Sequence, residues 1–538
     1  MSIPSGSGWI AGPLIPLIKY DAAILRIFGL VVTLAGAAVL SAGANSTFVA
    51  RFGLKSNFAV IFAFAASGAI YIYTLTRANT FSYYIANTSG INVAVGAALL
   101  VATARSTPRR LCFSVLAGFG IALSLVGGRL VGGAEGGVVA CALIALTTSE
   151  PCWRDRCRWV GVVIGSAAIA SLGWVAAFGN FELYLTTVKT IASVAGKYVT
   201  LSFHVQKEIG GYADFIWHGA HSRSCIASIF LIVPIVVFWR TVRPWAVSAF
   251  AIIIALSAVT QSIASHAAAA VNQQGFLVSC VLAFVFAVRM RGAGTGGFSV
   301  MDRWLPVATL AILPLIAGLG SMAPAAWGAS DNFTPWLILA GTAMSAFLSL
   351  PRRGVWVGLI AASLVVIDCQ PLEVFVMKRQ AYLADALGKG GDYPRMEGIP
   401  LMDGFRVPVD AKTYADGIRR LITGATADGG RYRVMNLNEL GIETLLSGLP
   451  VFGQVLTQFK WGVEPAAYND DLTCRFLAGN PLAPGEQVIL VANTEVGETI
   501  RSCLARDHHL TFPESFSVIG ALPSPFIQGR IVTVYRSR

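Results

Sequence analysis

Charge is what this chain has least of. Asp, Glu, Lys and Arg make up 13% of its 538 residues, against about 25% in a soluble globular protein. With 55% hydrophobic residues beside them, that scarcity excludes an ordinary water-soluble enzyme. Other absences narrow the chemistry. Residues 371–538 hold no nucleophile elbow, phosphate loop or metal-spaced Cys/His set, and the glycines of Gly127–Gly137 lack the preceding strand that a nucleotide fingerprint requires. A cleavable signal peptide is missing too. The nine cysteines give little framework: Cys112, Cys141 and Cys280 fall in apolar runs, and Cys152 and Cys157 in a basic loop. Cys474 and Cys503 share the C-terminal part and can pair if their Cα atoms lie within about 7 Å.

What is present is length of apolar sequence. A bilayer core about 30 Å thick needs roughly 20 apolar residues per helical crossing. Runs that meet this need lie at about 25–43, 57–74, 88–104, 112–127, 131–147, 158–178, 226–239, 246–264, 272–288, 304–320, 334–350 and 354–370. The expected fold is a polytopic α-helical membrane protein of about 12 transmembrane helices, with an α/β or α+β soluble domain at its C-terminus. Residues 1–23 form a juxtamembrane segment, 24–370 the multi-pass domain with an outer loop at 180–224, and 371–538 the soluble domain.

The net charge of +12 is unevenly placed, since residues 1–370 hold 23 Lys and Arg against 10 acids and residues 371–538 hold 17 against 18. The excess therefore reads as a topology signal and not as a nucleic-acid surface. Basic clusters recur in every second loop: Arg51 and Lys55; Arg105, Arg109 and Arg110; Arg154, Arg156 and Arg158; Arg240 and Arg243; Arg289, Arg291 and Arg303; Arg352 and Arg353. Facing these to the cytoplasm puts the C-terminal domain on the periplasmic or extracellular side of a bacterial inner membrane. It also puts residue 1 outside, which leads us to expect one further helix upstream.

Four stretches resemble the glycosyltransferase C superfamily of polyprenyl-phosphate-dependent membrane glycosyltransferases, which includes aminoarabinose, mannosyl and galacturonosyl transferases. They are Gly12–Leu17 running into Ile24–Gly29; the Gly- and Leu-rich Leu116–Arg129 with its terminal basic residue; Gly179-Asn180-Phe181 opening a large outer loop; and Ser265-His266 entering a helix. The resemblance implies transfer of a sugar from a polyprenyl-phosphate donor to an envelope glycan or lipid acceptor on the outer side. In one respect the chain departs from the family. The catalytic Asp or Glu expected in the first outer loop has no counterpart, Asp21 being the one acid of the N-terminal segment and too close to the following helix.

Arg129 and Glu135 sit in a glycine-rich outer turn, where a guanidinium can grip a lipid phosphate or the two charges can close the turn as a pair. The loop 180–224 mixes Lys197, Lys207, Glu208, Asp214, His218 and His221 with aromatic residues. That mixture suits a saccharide cleft; Asp214, His218 and His221 alternatively suit a divalent metal, and a solvated loop is the third reading. His266, near Gln261, Asn272, Gln273 and Gln274, reads as lining a polar cavity. Arg129, Glu135, Lys197, Asp214, His218, His221 and His266 are thus the candidate substrate-binding residues, with the catalytic base unassigned. Asn45, Asn87 and Asn332 match the short glycosylation pattern.

In the C-terminal part, Arg431–Leu437, Gln487–Val491 and Arg530–Tyr535 have strand patterns, and Asn493-Thr494-Glu495 is placed to cap a following helix. Asp470-Asp471 is expected in a solvated loop. The part carries no catalytic motif and suits covering the outer cleft or binding an acceptor. A rival class remains open: a transporter, flippase or glycan-assembly subunit without catalysis, which the missing acidic motif favours.

Overall fold

The computed structural model describes residues 22–53, 83–128, 130–148, 150, 152–178, 201–220, 300–318, 394–398, 409–438, 442–453, 466–493, 495–525 and 529–538, with single positions between 182 and 197 and between 332 and 342. The expected spans at 57–74, 226–239, 246–264, 272–288 and 354–370 lie outside these residues. Six others fall on helices, 304–320 on Val300–Gly318 among them, and of 334–350 only single positions are described. Among the described residues Ile27–Phe52, Tyr84–Thr103, Thr107–Gly127, Leu130–Thr147 and Trp153–Ala177 are long and apolar enough to cross a membrane.

The helices are α1 (Ala22–Phe52), α2 (Tyr83–Thr103), α3 (Thr107–Ala122), α4 (Leu130–Thr147), α5 (Trp153–Phe178), α6 (Leu201–Ala220) and α7 (Val300–Gly318). Helix α2 is the hub, packed against α1, α3 and α4, while α5 lies on α3 and α7 on α4. Helix α1 turns Ala37, Leu40, Ala44 and Phe48 inward and leaves Ile27 and Val31 outside, a stripe at helical spacing.

Close approach depends on small residues. A Cβ on Gly43 would stand 2.2 Å from the Gly96 carbonyl oxygen, and one on Gly96 would stand 2.5 Å from Leu40 Cα. Backbone thus meets backbone across α1 and α2, the contact that small residues permit between apolar helices. Polar side chains lock the rest. Asn92 and Asn332 exchange two amide hydrogen bonds of 3.0 Å, both residues being buried.

At one end of the bundle the basic segments converge. Arg51 donates to the carbonyls of Thr147, at 2.7 Å, and of Asp302. Arg110 pairs with Glu150, whose carbonyl also accepts Arg156 Nε at 2.7 Å. Segments far apart in sequence therefore share one face.

The C-terminal part comprises α8 (Val409–Ala425), β1 (Arg431–Asn436), α9 (Ile442–Ser447), α10 (Ala466–Ala478), β2 (Glu486–Ala492), α11 (Glu498–His508), β3 (Phe516–Pro523) and β4 (Ile531–Ser537). The sheet order is β1-β2-β4-β3, with β1 and β2 parallel and the other pairs antiparallel. A parallel bridge from Val434 to Val451 extends it beyond β1.

Alternation of side chains across the strands builds two cores. Tyr432, Val434, Ile489, Val491, Val532 and Val534 pack under Tyr414, Ile418 and Ile422 of α8 and Leu446 of α9. Met435, Val488 and Leu490 pack on the other face against Leu477 of α10 and Ile500 and Leu504 of α11. The result is a sheet between two helical layers. Cys474 and Cys503 form a disulfide with Cα atoms 5.6 Å apart, joining α10 to α11.

Two local expectations change. Asp470 and Asp471 lie on α10 and not in a loop, because an apolar face carrying Leu472 and Leu477 recruits that segment to the core. The N-cap of α11 is Gly497, without a side-chain cap, and not the Asn493-Thr494-Glu495 stretch.

Candidate functional site

Helix α3 ends in a π-helical turn, Leu123–Gly127, whose wider bore shifts the backbone register by one residue. The shift brings Ser124 Oγ to Asn87 Oδ1 at 2.7 Å, and Asn87 Nδ2 donates to the Ala317 carbonyl at 2.9 Å. One buried amide thereby ties α2, the π turn and the end of α7. A buried Asn87 already committed to two bonds is no glycosylation acceptor, and neither is the buried, bonded Asn332.

After the π turn the chain breaks at Gly128 and resumes as α4 at Leu130. The tight outer turn expected over Gly127–Gly137 is therefore mostly helix. Its glycines let α4 sit close to its neighbours: a Cβ on Gly133 would come within 2.7 Å of Leu125 N, and one on Gly136 within 2.9 Å of Ile91 Cγ1. Arg129 lies outside the described residues. Glu135 lies on α4, half-buried, and its Oε2 is buried with no hydrogen-bond partner among the described residues.

The segment expected as an outer loop contains the 20-residue helix α6. Its amphipathicity is inverted. Val205 and Ile209 are 47% and 63% exposed, while Lys207 is 7% exposed and ion-pairs with Glu208 at 3.0 Å. Gly211, four residues on and on the Lys207 face, is also buried, and Tyr212 is half-buried. A helix that hides its charges and shows its apolar side chains has its polar face against protein or a polar cleft, and its other face suited to lipid.

The hidden face of α6 and the start of α4 share one electrostatic environment. Burial first, then the charges of Glu208 and Glu135, push the Tyr212 phenol above its ordinary range. Two carboxylates and a phenol thus lie within electrostatic reach of one another, with Lys207 paired to Glu208. Chemically the group offers a cation and, in Glu135 Oε2, a buried acceptor oxygen without a partner among the described residues.

The other expected site residues divide. Lys197 is exposed and reaches Asp471 Oδ2 at 2.9 Å, so the 180–224 segment and the C-terminal part touch. Asp214 and His218 fall on α6, but their side chains, like all of His221 and His266, lie outside the described residues. Among the described residues no three His, Cys, Asp or Glu side chains gather as metal ligands do. Sequence reasoning placed Lys207, Glu208 and Tyr212 in the 180–224 loop and did not foresee helix α6, on which Glu208 and Tyr212, four residues apart, share a face.

Comparison with family models, with curated proteins and with solved structures finds no match.

Proposed function

We propose that this chain is a bacterial inner-membrane glycosyltransferase that moves a sugar from a polyprenyl-phosphate donor to an envelope glycan or lipid acceptor on the outer face. The observation that supports this reading is helix α6, which buries Lys207 in an ion pair with Glu208 and carries Tyr212 within the electrostatic reach of Glu208 and of Glu135 near the glycine-rich start of α4. A donor of this class needs a cation at the departing phosphate and a base for the acceptor hydroxyl. Lys207 and Arg129 are assigned to the phosphate and Glu135 to the hydroxyl. The acceptor oxygen attacks the anomeric carbon, the bond from that carbon to the phosphate oxygen breaks with its electron pair, and the hydroxyl proton passes to Glu135.

Three further features support the orientation. Arg51, Arg110 and Arg156 gather at one end of the bundle, as cytoplasmic charges do. The Cys474–Cys503 disulfide fits an oxidising compartment. The Lys197–Asp471 pair joins the 180–224 segment to the domain that carries it.

The test is transfer of radiolabel from polyprenyl-phosphate hexoses and hexuronic acids to a glycolipid fraction, using purified protein in liposomes. Glu135→Gln is expected to lower turnover about 10²-fold or more, the usual contribution of a general base, and Lys207→Met to weaken donor use. Turnover that survives Glu135→Gln at equal folded protein would overturn the assignment. Movement of the donor lipid across the bilayer without transfer would place the chain in the flippase class instead.

A further inference from the structure

The C-terminal sheet contains a second arrangement that the transfer chemistry does not use. Strands β1 and β2 are parallel neighbours, yet the chain leaves their carboxyl ends toward opposite faces. From β1 it enters α9, whose Leu446 packs in the core with Tyr414 and Val434. From β2 it enters α11, whose Ile500 and Leu504 pack in the opposite core. Where adjacent parallel strands send their connections to opposite sides, a crevice opens beyond the strand ends, and α/β proteins bind ligands there.

Amide side chains line up at this point. The register pairs Asn436 with Val491, and Leu437 N donates to the Val491 carbonyl at 2.8 Å. Asn438 and Asn493 each follow the last paired residues, Asn436 and Val491, by two positions along their chains. Asn436 is committed within the fold. Its Nδ2 donates to Glu443 Oε2 at 3.3 Å and Thr444 Oγ1 at 3.2 Å, and its Oδ1 accepts the Asn438 backbone N–H at 2.9 Å. Glu443, 2% exposed, also accepts the Tyr414 hydroxyl at 2.6 Å.

Asn438 differs. It is 1% exposed, and neither its amide nitrogen nor its amide oxygen has a partner among the described residues. Asn493 Oδ1 is likewise buried and unpartnered among them. Buried polar groups are almost always hydrogen-bonded, so two neighbouring exceptions at a strand-end crevice point to an external partner.

The chemistry selects its class. A primary amide presents a donor and an acceptor on one edge, and a vicinal diol returns one of each. The charged surroundings are mostly acidic. Glu443 is buried beside Asn436, and Asp470 Oδ2 would stand 3.5 Å from a Cβ on Gly497 at the start of α11. Burial pushes the Asp470 carboxyl above its usual range, and Arg501 is engaged by Glu495 at 2.8 Å. Such a rim disfavours a phosphate and accepts a neutral polyol.

We propose that the crevice at the carboxyl ends of β1 and β2 binds a saccharide, with the Asn438 amide taking a vicinal diol and Asn493 Oδ1 a further hydroxyl. Within the transferase reading this site holds the acceptor glycan, but binding does not depend on transfer.

The experiment applies full-length protein in nanodiscs to an immobilised array of hexose, heptose and hexuronic acid oligosaccharides. Wild-type protein is expected to retain at least one oligosaccharide class, and Asn438→Leu, which removes both amide polar groups while keeping the branched four-atom side chain, to weaken it by about tenfold or more. Thermal unfolding accompanies each measurement, since a purely structural Asn438 would change the melting temperature and leave retention alone. Retention unchanged in folded Asn438→Leu, or no retention by wild type, overturns the proposal, as does Asn438-dependent binding of UDP in place of free glycan. Glycan binding without transfer overturns only the transferase reading.

Discussion

Asp428 shows how much one exposed carboxylate can be held by its neighbours. It accepts the Tyr432 hydroxyl at 2.7 Å, the Gly430 N–H at 3.1 Å and Arg536 Nη2 at 2.5 Å. The Tyr432 bond, then those from Gly430 and Arg536, lower its pKa to about 2. A carboxyl depressed in the folded state stabilises the fold above its unfolded pKa, about 3.9, and loses that contribution as pH falls through the folded value. Wild-type protein should therefore lose stability between about pH 4 and pH 2, and Asp428→Asn should flatten that part of the curve. Thermal midpoints taken across this range check it, and an unaltered slope in Asp428→Asn would contradict the assignment. His508 acts in the same direction at higher pH, since burial, the largest influence, lowers its pKa below 6.5. At the same scale, Glu135 was singled out in the sequence as the acid of a glycine-rich turn, and the structure puts it on a helix. Lys207 was not, because burial of a lysine depends on which way its helix is turned.

Among the elements, the α1–α2 pair depends most on what it lacks. Gly43 and Gly96 bring the two backbones to a distance that no side chain tolerates, whereas Gly161, Gly165 and Gly173 on α5 have nothing within 4 Å of where a Cβ would stand. Gly43→Ala is expected to cost about 1–3 kcal/mol, the usual penalty of overpacking, and Gly165→Ala to cost nothing or to stabilise slightly through helix propensity. Melting of the detergent-solubilised variants separates the two; equal midpoints would sink the packing account. Element positions were largely readable. Apolar runs at 25–43, 88–104, 112–127, 131–147 and 158–178 each fall on an observed helix, since hydropathy needs only length and composition. Strand patterns at 431–437, 487–491 and 530–535 correspond to β1, β2 and β4. Strand β3 was missed: it contains Gly520 and Pro523, and its side chains are mostly part-exposed, so no clean alternation marks it. The π turn was hidden by the surrounding glycines, whose flexibility is compatible with several local geometries.

For the whole molecule, the arrangement of charge predicts sidedness. Exposed Cys157 lies next to the Arg156 that bonds at the basic end of the bundle. Cys474 and Cys503 belong to the domain reached by Lys197. In intact cells a membrane-impermeant maleimide should label a variant retaining Cys157 alone only after permeabilisation. Cys474 and Cys503 should become reactive from outside once reduced. Labelling of Cys157 from outside would invert the topology and remove the outer-face chemistry with it. The candidate site was only half legible at this scale. Sequence placed Glu135 and the 180–224 segment on one side, but their meeting depends on packing between elements far apart along the chain, for which a single sequence carries no signal.

The inverted helix α6 also bears on biogenesis. A lysine or aspartate near the centre of an inserting helix costs about 2.5–3.5 kcal/mol, and α6 carries Lys207, Glu208 and Asp214. It is a poor substrate for cotranslational insertion and cannot partition into lipid as an isolated segment. Its apolar side chains can settle against the bilayer only when a folded bundle is already there to receive Lys207 and Glu208. Burial of Lys207 and Glu208 is therefore expected to follow, and not precede, assembly of the helices around them.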